Sequence, residues 1–347
     1  MSRRSPERTR VAIFAGVVAV CAIVAVVAVV LGARGSGGGG EASARATSAL
    51  ADAKASGQRM VVFRDRASHG RVEIAPAGAD GAGKAVVSGM RCDRVYFAAG
   101  RGLCVTRGSG FAAGYRAKVF DEHLKVLHDM PVEGIPSRAR VSPDGRYGAT
   151  TLFVSGHAYA EAGTFSTATT LFDLRSGTKI ADLEKFTTYD RDGQVVTAVD
   201  VNYWGVTFDP RDSDRFYATM ATGGKTYLIR GSVSRRRADV LKENVECPSL
   251  SPDGTRIAYK KRTGSKSDPW HITVLDVATL HETPLAEPRS VDDQVEWLDA
   301  GHVLYGVGGS VYELPSDGTG TPRKYISGGD SPAVVRWGGG GPEGSGV

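Results

Sequence analysis

The chain has 347 residues, 41% hydrophobic and 23% charged, enough for one large or two ordinary domains and too apolar for a wholly disordered chain. Glycine is in excess, 45 residues or about 13% against a usual share of roughly 7%, with no Gly-X-Y period, which excludes collagen and points to a turn-dense fold. Of the net charge of +5, Arg3, Arg4, Arg8 and Arg10 against Glu7 carry most within the first ten residues, so no basic face supports nucleic-acid binding; four cysteines exclude a disulfide-dense mini-protein.

The first element in the chain is apolar. After a basic segment over 1–10, residues Val11 to Leu31 contain no charge, and at about 1.5 Å per residue a helix of that length crosses a hydrocarbon core of roughly 30 Å. The nearest small-x-small cleavage site, Ala42-Ser43-Ala44, lies far beyond the apolar end, so 11–31 is expected to be a retained transmembrane signal anchor. The arginines before it place the N-terminus in the cytoplasm and the remainder outside. Cys21 lacks the flanking pattern of a lipidation site, and Arg3-Arg4 lacks the rest of a twin-arginine signal. Residues 32–58, with Gly37 to Gly40 followed by Ala, Ser and scattered charges, are expected to be a flexible linker, and 338–347, with six glycines, a disordered tail. The folded part is then 59–337.

Within it, short β-branched or aromatic runs recur between Gly, Pro and Asp: Met60 to Phe63, Val95 to Phe97, Tyr115 to Phe120, Thr169 to Leu174, Phe216 to Thr219, Ile272 to Val277, Val303 to Tyr305 and Val311 to Leu314. No amphipathic helix of useful length competes. The turn Ser142-Pro143-Asp144-Gly145 recurs as Ser251-Pro252-Asp253-Gly254, and weaker copies align Arg59, Arg101, Arg146, Arg215, Arg256 and His302 at steps of 42, 45, 69, 41 and 46 residues. Those steps match the roughly 40 to 50 residues of a four-stranded propeller blade, six in all, one carrying an insertion. The tetrapeptide is a structural turn: Pro pre-sets φ, the Asp side chain bonds the backbone two residues on, and Gly accepts the positive φ. The first unit has three strands, Met60 to Phe63, Val72 to Ile74 and Ala85 to Val87, and lacks the innermost. Asp330-Ser331-Pro332-Ala333-Val334-Val335, similar to Cys247-Pro248-Ser249-Leu250, is expected to supply it and so close the ring without an open edge. The fold class expected is all-β: a six-bladed β-propeller with the C-terminal strand closing the first blade, preceded by one N-terminal transmembrane helix.

The paired Ser-Pro-Asp-Gly turns, Trp204-Gly205-Val206-Thr207-Phe208 leading into Phe216-Tyr217-Ala218-Thr219, and Cys247 to Gly254 resemble the TolB-like six-bladed β-propellers of bacteria, over most of 59–337. The resemblance implies an extracytoplasmic binding scaffold of the cell envelope, with a role in envelope protein assemblies. The membrane anchor and the absence of a recognisable α/β domain ahead of the propeller depart from that family's pattern.

Signatures of chemistry are few. No Gly-x-Ser-x-Gly, His-Glu-x-x-His or paired Cys-x-x-Cys occurs, and the seven histidines show no short ligand spacing, so no catalytic residue, metal or cofactor is expected. Gly223-Gly224-Lys225-Thr226 resembles the end of a phosphate loop, but its setting is a hairpin without a following helix. Binding is expected at the face that gathers the loops leading into the innermost strands and those joining second and third strands. It would collect Asp93, Arg138, Asn202, Tyr203, Trp204, Asp292, Asp293 and Asp330 from the former and His157, Tyr159 and Trp270 from the latter, aromatics beside charges that suit an envelope protein or a glycan. The insertions Val154 to Ala168 and Phe186 to Val199 are expected to be mobile contact loops. A propeller-fold polysaccharide lyase or glycosidase, or an envelope sensor, is the alternative, and a translocation-related role is a further option.

Outside the cytoplasm Cys92 and Cys104 are free to pair. With the hairpin turn centred near Gly100-Arg101, Cys104 faces Phe97 and Cys92 lies about five residues further on, roughly 16 Å away, whereas a bridge needs Cα atoms within about 7 Å. Pairing therefore requires Cys92 to fold back, and at this point the bridge stays open.

Overall fold

The computed structural model describes Val20 and residues 40–108, 114–154 and 166–337. The basic segment 1–10, the expected span over 11–31 apart from Val20, and the tail over 338–347 lie outside them, as do His157 and Tyr159. Among the described residues no helix is long and apolar enough to cross a membrane.

The strands form six sheets, one per blade, in the order that the repeat spacing predicts. Blade 1 runs from the axis outward as Gly329–Val335, Met60–Asp65, Arg71–Gly78 and Val86–Arg91, with Gly81–Ala82 extending the hairpin of its third strand. Its innermost strand is the C-terminal one, paired antiparallel with Val61 opposite Val334 and Val62 opposite Ala333. Blade 2 comprises Arg94–Ala98, Arg101–Arg107, Tyr115–Asp121 and Val126–Val132, and blade 3 Ile135–Val141, Tyr147–Val154, Ser166–Asp173 and Thr178–Asp182. Blade 5 comprises Glu246–Leu250, Arg256–Arg262, Trp270–Asp276 and Glu282–Pro284, and blade 6 Glu296–Trp297, His302–Val307, Ser310–Pro315 and Arg323–Ser327.

Blade 4 has five strands. Asn202–Asp209, Asp212–Thr222, Lys225–Ser232 and Arg237–Glu243 are joined at the outer edge by Thr187–Tyr189, which pairs parallel with Arg237–Glu243. The segment from Phe186 onward, expected as a mobile contact loop, therefore begins as an ordered strand. Phe186 is buried, the Tyr189 ring carries the Arg237 guanidinium 3.9 Å above it, and the Thr188 hydroxyl meets the Tyr203 phenol at 2.7 Å. Unpaired strand groups at a blade edge are covered in this way.

Six apolar clusters fill the six junctions between neighbouring blades rather than one central core. Leu103, Val119, Val141 and Phe172 join blades 2 and 3; Tyr217, Leu228, Ile257 and Leu275 join blades 4 and 5. The alternation of each strand supplies one side of a junction with every second residue.

Both Ser-Pro-Asp-Gly turns use the expected bonds. The Ser142 hydroxyl donates to Asp144 Oδ1 at 2.6 Å, the Arg146 N–H donates to the same oxygen at 3.0 Å, and Gly145 has φ +69°. Burial opposes ionisation of Asp144, but these donors outweigh it and hold the carboxyl below its ordinary range. The second turn repeats this at Ser251, Asp253 and Gly254.

Two departures concern blade 2 and the segment before blade 1. The turn after Arg94–Ala98 is centred on Ala99 and Gly100, both at positive φ, the two-residue geometry that matches strand twist. That centre pairs Cys104 with Val95 rather than Phe97. Cys92 is thus only three residues beyond the paired position. Its N–H donates to Gly70 O at 2.9 Å while the Asp93 N–H donates to Val105 O at 2.7 Å, which folds Cys92 back beside Cys104; the two form a disulfide with Cα atoms 5.4 Å apart.

Residues 40–56, expected within a flexible linker, form a helix instead. Ala42, Ala46, Leu50 and Ala53, spaced by three and four, are buried, the last three in the junction of blades 1 and 2 with Phe97, Phe120 and Val335. Lys54 pairs with Glu122 at 2.7 Å, the Thr47 hydroxyl donates to His123 O at 3.2 Å, and Ser43 Oγ accepts from the Gly89 N–H at 3.2 Å. The many alanines that read as a linker are strong helix formers, and one apolar stripe is enough to dock them.

Candidate functional site

Innermost strands run in one direction in a propeller, so the axis has two distinct mouths. One, the loop mouth, gathers the segments that lead into those strands. The other, the turn mouth, gathers the tight turns into the second strands, including both Ser-Pro-Asp-Gly copies.

At the loop mouth, charged side chains converge from several blades. Arg64 of blade 1 pairs with Asp330 of the closing strand at 2.8 Å. Arg138 at the blade 3 axis stands 3.7 Å from Asp292, whose Oδ1 also receives the Lys260 ammonium of blade 5 at 2.5 Å. Asp293 accepts the backbone N–H of Gly306 at 2.7 Å and of Gln294 at 2.9 Å. Lys260 is buried, 4% exposed, and lies 4.4 Å over the Trp270 ring, whereas Asp292 is 63% exposed. The fields overlap. Burial, and then the neighbouring Arg138, lower the Arg94 pKa; burial raises that of Asp330 despite Arg64 and Arg94; Asp292 is lowered because Lys260 and Arg138 outweigh the effect of burial. Several polar atoms here are buried without a hydrogen-bond partner among the described residues: Arg64 Nε, Arg138 Nε, Trp270 Nε1 and Asp330 Oδ1.

The predicted residues divide. Arg138, Asp292, Asp293 and Asp330 share this electrostatic cluster, with Trp270 against Lys260 beside it. Trp270, expected in a loop, opens a strand. Asp93 lies just before Arg94–Ala98, and its carbonyl accepts from the Arg94 guanidinium at 2.8 Å. Asn202, Tyr203 and Trp204 are not loop residues but the start of the innermost strand Asn202–Asp209. Tyr203 and Trp204 are 3% and 7% exposed, and the Asn202 side chain is engaged with the Thr167 N–H and the Asp200 carbonyl. Tyr203 packs into the junction of blades 3 and 4, and Trp204 beside it is likewise buried.

The turn mouth holds a cavity that the sequence reading did not find. It encloses about 100 Å³ and is lined by residues of all six blades, among them Tyr96, Arg140, Phe208, Leu250, Glu296 and Arg336. Arg140 and Glu296, with side chains 6% and 3% exposed, form a buried ion pair on its floor. The Tyr96 phenol donates to Glu296 at 3.1 Å, the Arg140 guanidinium lies 4.6 Å over the Tyr96 ring, and Arg140 Nη2 donates to Ser249 Oγ at 3.2 Å and Val295 O at 2.6 Å. Glu296 further accepts from the Val334 N–H at 3.3 Å and stands 3.5 Å from Arg336. Burial first, and then the Glu296 carboxylate, push the Tyr96 phenol up to about 12. Arg140 Nε is buried without a partner among the described residues. The signal was present: innermost strands point alternate residues at the axis, so Arg140 within Ala139-Arg140-Val141 and Glu296 beside Trp297 are charges that the topology drives inward.

No family model matches the sequence, and no curated protein does. Among solved structures the chain is similar to TolB from Acinetobacter baumannii, at TM-score 0.55 and 18% identity over 80% of this chain and 66% of that one, so it spans just under two thirds of that protein's length. It is similar also to a chain of a Nidogen/Laminin complex, at TM-score 0.55 and 10% identity over 80% of this chain and 98% of that one. At these identities the likeness is one of fold: a TolB-like six-bladed β-propeller.

Proposed function

We propose, from a TolB-like propeller fold joined to an apolar N-terminal segment, that the protein is a binding scaffold held outside the cytoplasmic membrane by the span over 11–31, with the loop mouth as its contact face for an envelope protein. The observation that carries this reading is the convergence of Arg64, Arg94, Arg138, Lys260, Asp292, Asp293 and Asp330 at one mouth, with buried donors and an acceptor left unpaired among the described residues. Buried polar atoms are almost always satisfied, so such a set calls for groups from outside. Charges of both signs beside an aromatic give register and specificity to a protein contact more than raw affinity. The Cys92–Cys104 bridge is in keeping with an oxidising compartment.

The test is cross-linking of the tagged full-length chain in intact cells, followed by membrane extraction and identification of what is captured. Trp270→Ala with Asp292→Ala should abolish capture of the partner while circular dichroism and thermal unfolding stay near wild type. Capture unchanged in the double variant rejects this face. Protection of the propeller from added protease in intact spheroplasts rejects the location.

A further inference from the structure

We propose that the cavity at the turn mouth is a binding site for a small monocarboxylate bearing an apolar end. The proposal is independent of the contact face, which lies at the opposite mouth. Three observations combine. The first is charge: the charged residues that line the cavity are Arg140, Arg336 and Glu296, two cations against one anion. Arg140 and Glu296 are almost fully buried and offset one another, so the surplus cation is Arg336, whose side chain is 34% exposed at the edge of the cavity.

The second is an open donor. The Glu296 carboxylate is well supplied, by Tyr96, Arg140, Arg336 and the Val334 N–H. Arg140, by contrast, directs its Nη atoms to Glu296, Ser249 and Val295 and leaves Nε buried without a partner among the described residues. One free guanidinium N–H, with a second guanidinium also at Glu296, offers a carboxylate one charge-assisted donor and a neighbouring positive charge.

The third is shape. Apart from the hydroxyls of Thr207, Ser249 and Ser251, the rest of the lining is mostly apolar, with Ala98, Pro143, Phe208, Pro210, Leu250 and Pro252 contributed by the strand ends and turns. A volume of about 100 Å³ is several times the roughly 10–15 Å³ that one water needs, so it admits a carboxylate and a few methylenes, with any longer chain resting among the prolines. A charged floor under an apolar wall is the usual build of a small-ligand pocket.

The experiment titrates purified full-length protein with sodium acetate, butyrate and hexanoate by calorimetry at constant ionic strength, against butyramide and butylamine as neutral and cationic counterparts. Saturable binding is expected for the acids, tighter for butyrate than for acetate, and at least tenfold weaker for butyramide. Arg336→Gln should weaken butyrate at least tenfold and Arg336→Lys should restore most of the loss. Two sources of a carboxylate are separated by acetyl-Ala-Leu and its C-terminal amide: tighter binding of the free peptide than of butyrate, lost in the amide, assigns the site to chain ends, and the reverse order assigns it to free acids. No saturation by any carboxylate up to about 50 mM, equal binding of butyramide, or full displacement of butyrate by equimolar chloride overturns the proposal. These arms use the unsubstituted protein, so an unstable Arg336 variant does not blunt the test.

Discussion

At the loop mouth Asp292 is 63% exposed and shares two cations, while at the turn mouth Glu296 is 3% exposed and gathers four donors around a buried arginine. The first arrangement keeps its carboxylate near water and leaves it available, though the cations that hold it are buried. The second draws three blades together, since Tyr96, Arg140 and Glu296 come from blades 2, 3 and 6. Charge near a propeller axis thus serves contact at one end and ring closure at the other, and exposure tells the two apart. The comparison breaks if carboxylates at both ends cost the same to remove. Glu296→Ala should lose about 3–5 kcal/mol in urea unfolding, because it strands Arg140 and Arg336 together. Asp292→Ala should lose less, about 1 kcal/mol, because Asp292 itself is exposed and Glu246 stays 3.9 Å from the buried Lys260. Similar losses for the two variants would remove the distinction.

Two contacts outside the axis sharpen it. Cys92 stands immediately before Asp93 and Arg94, so the disulfide to Cys104 pins the segment leading into the loop mouth. Replacing both cysteines by serine should cost about 2–4 kcal/mol, and the loss should be matched by reduction of the wild-type protein with dithiothreitol. At the other side, Leu50 of the helix over 40–56 is 1% exposed in the junction of blades 1 and 2. Leu50→Ala should cost about 2–3 kcal/mol, and hydrogen exchange should quicken in Met60–Asp65 and Arg94–Ala98 before it does in blade 5. Uniform exchange changes around the ring would show that the helix does not act on that junction.

The ring itself was legible because the turn chemistry repeats: two Ser-Pro-Asp-Gly copies and their weaker relatives fix blade number, and the unpaired first unit calls for the C-terminal strand. The helix over 40–56 was hidden by composition, since alanine-rich sequence next to a glycine run reads as tether until its three-four stripe is counted. The disulfide turned on a single position: a turn centred on Ala99-Gly100 instead of one residue later moves every partner by two and brings Val95, not Phe97, opposite Cys104. Arg138, Asp292, Asp293 and Asp330 come together because loops converge by geometry, whereas Tyr203 and Trp204 are buried because they open a strand rather than stand in a loop. The turn-mouth cavity depends on which face of each innermost strand meets the axis, and that needs the register of six blades at once.

The smallest expected effect separates the mouths by the pH at which each responds. Burial and Glu296 hold the Tyr96 phenol at about 12, above the ordinary value near 10 that it regains on unfolding. The native state therefore keeps a proton that the unfolded chain releases, and the stability linked to it is complete below pH 10 and is lost as pH rises through 12. At the loop mouth the sign is opposite. Lys260 and Arg138 hold Asp292 below its ordinary range against the effect of burial, so its contribution is present above about pH 4 and disappears as pH falls through the lowered value. Tyr96→Phe should lose about 1 kcal/mol at pH 7, for the bond to Glu296, and the gap to wild type should narrow between pH 10 and 11.5. Asp292→Asn should leave that alkaline limb unchanged and flatten the acid limb below pH 5. Urea unfolding of the three proteins across both ranges decides the matter: if Tyr96→Phe runs parallel to wild type in alkali, the phenol ionises freely and the turn mouth is wetter than its buried ion pair implies.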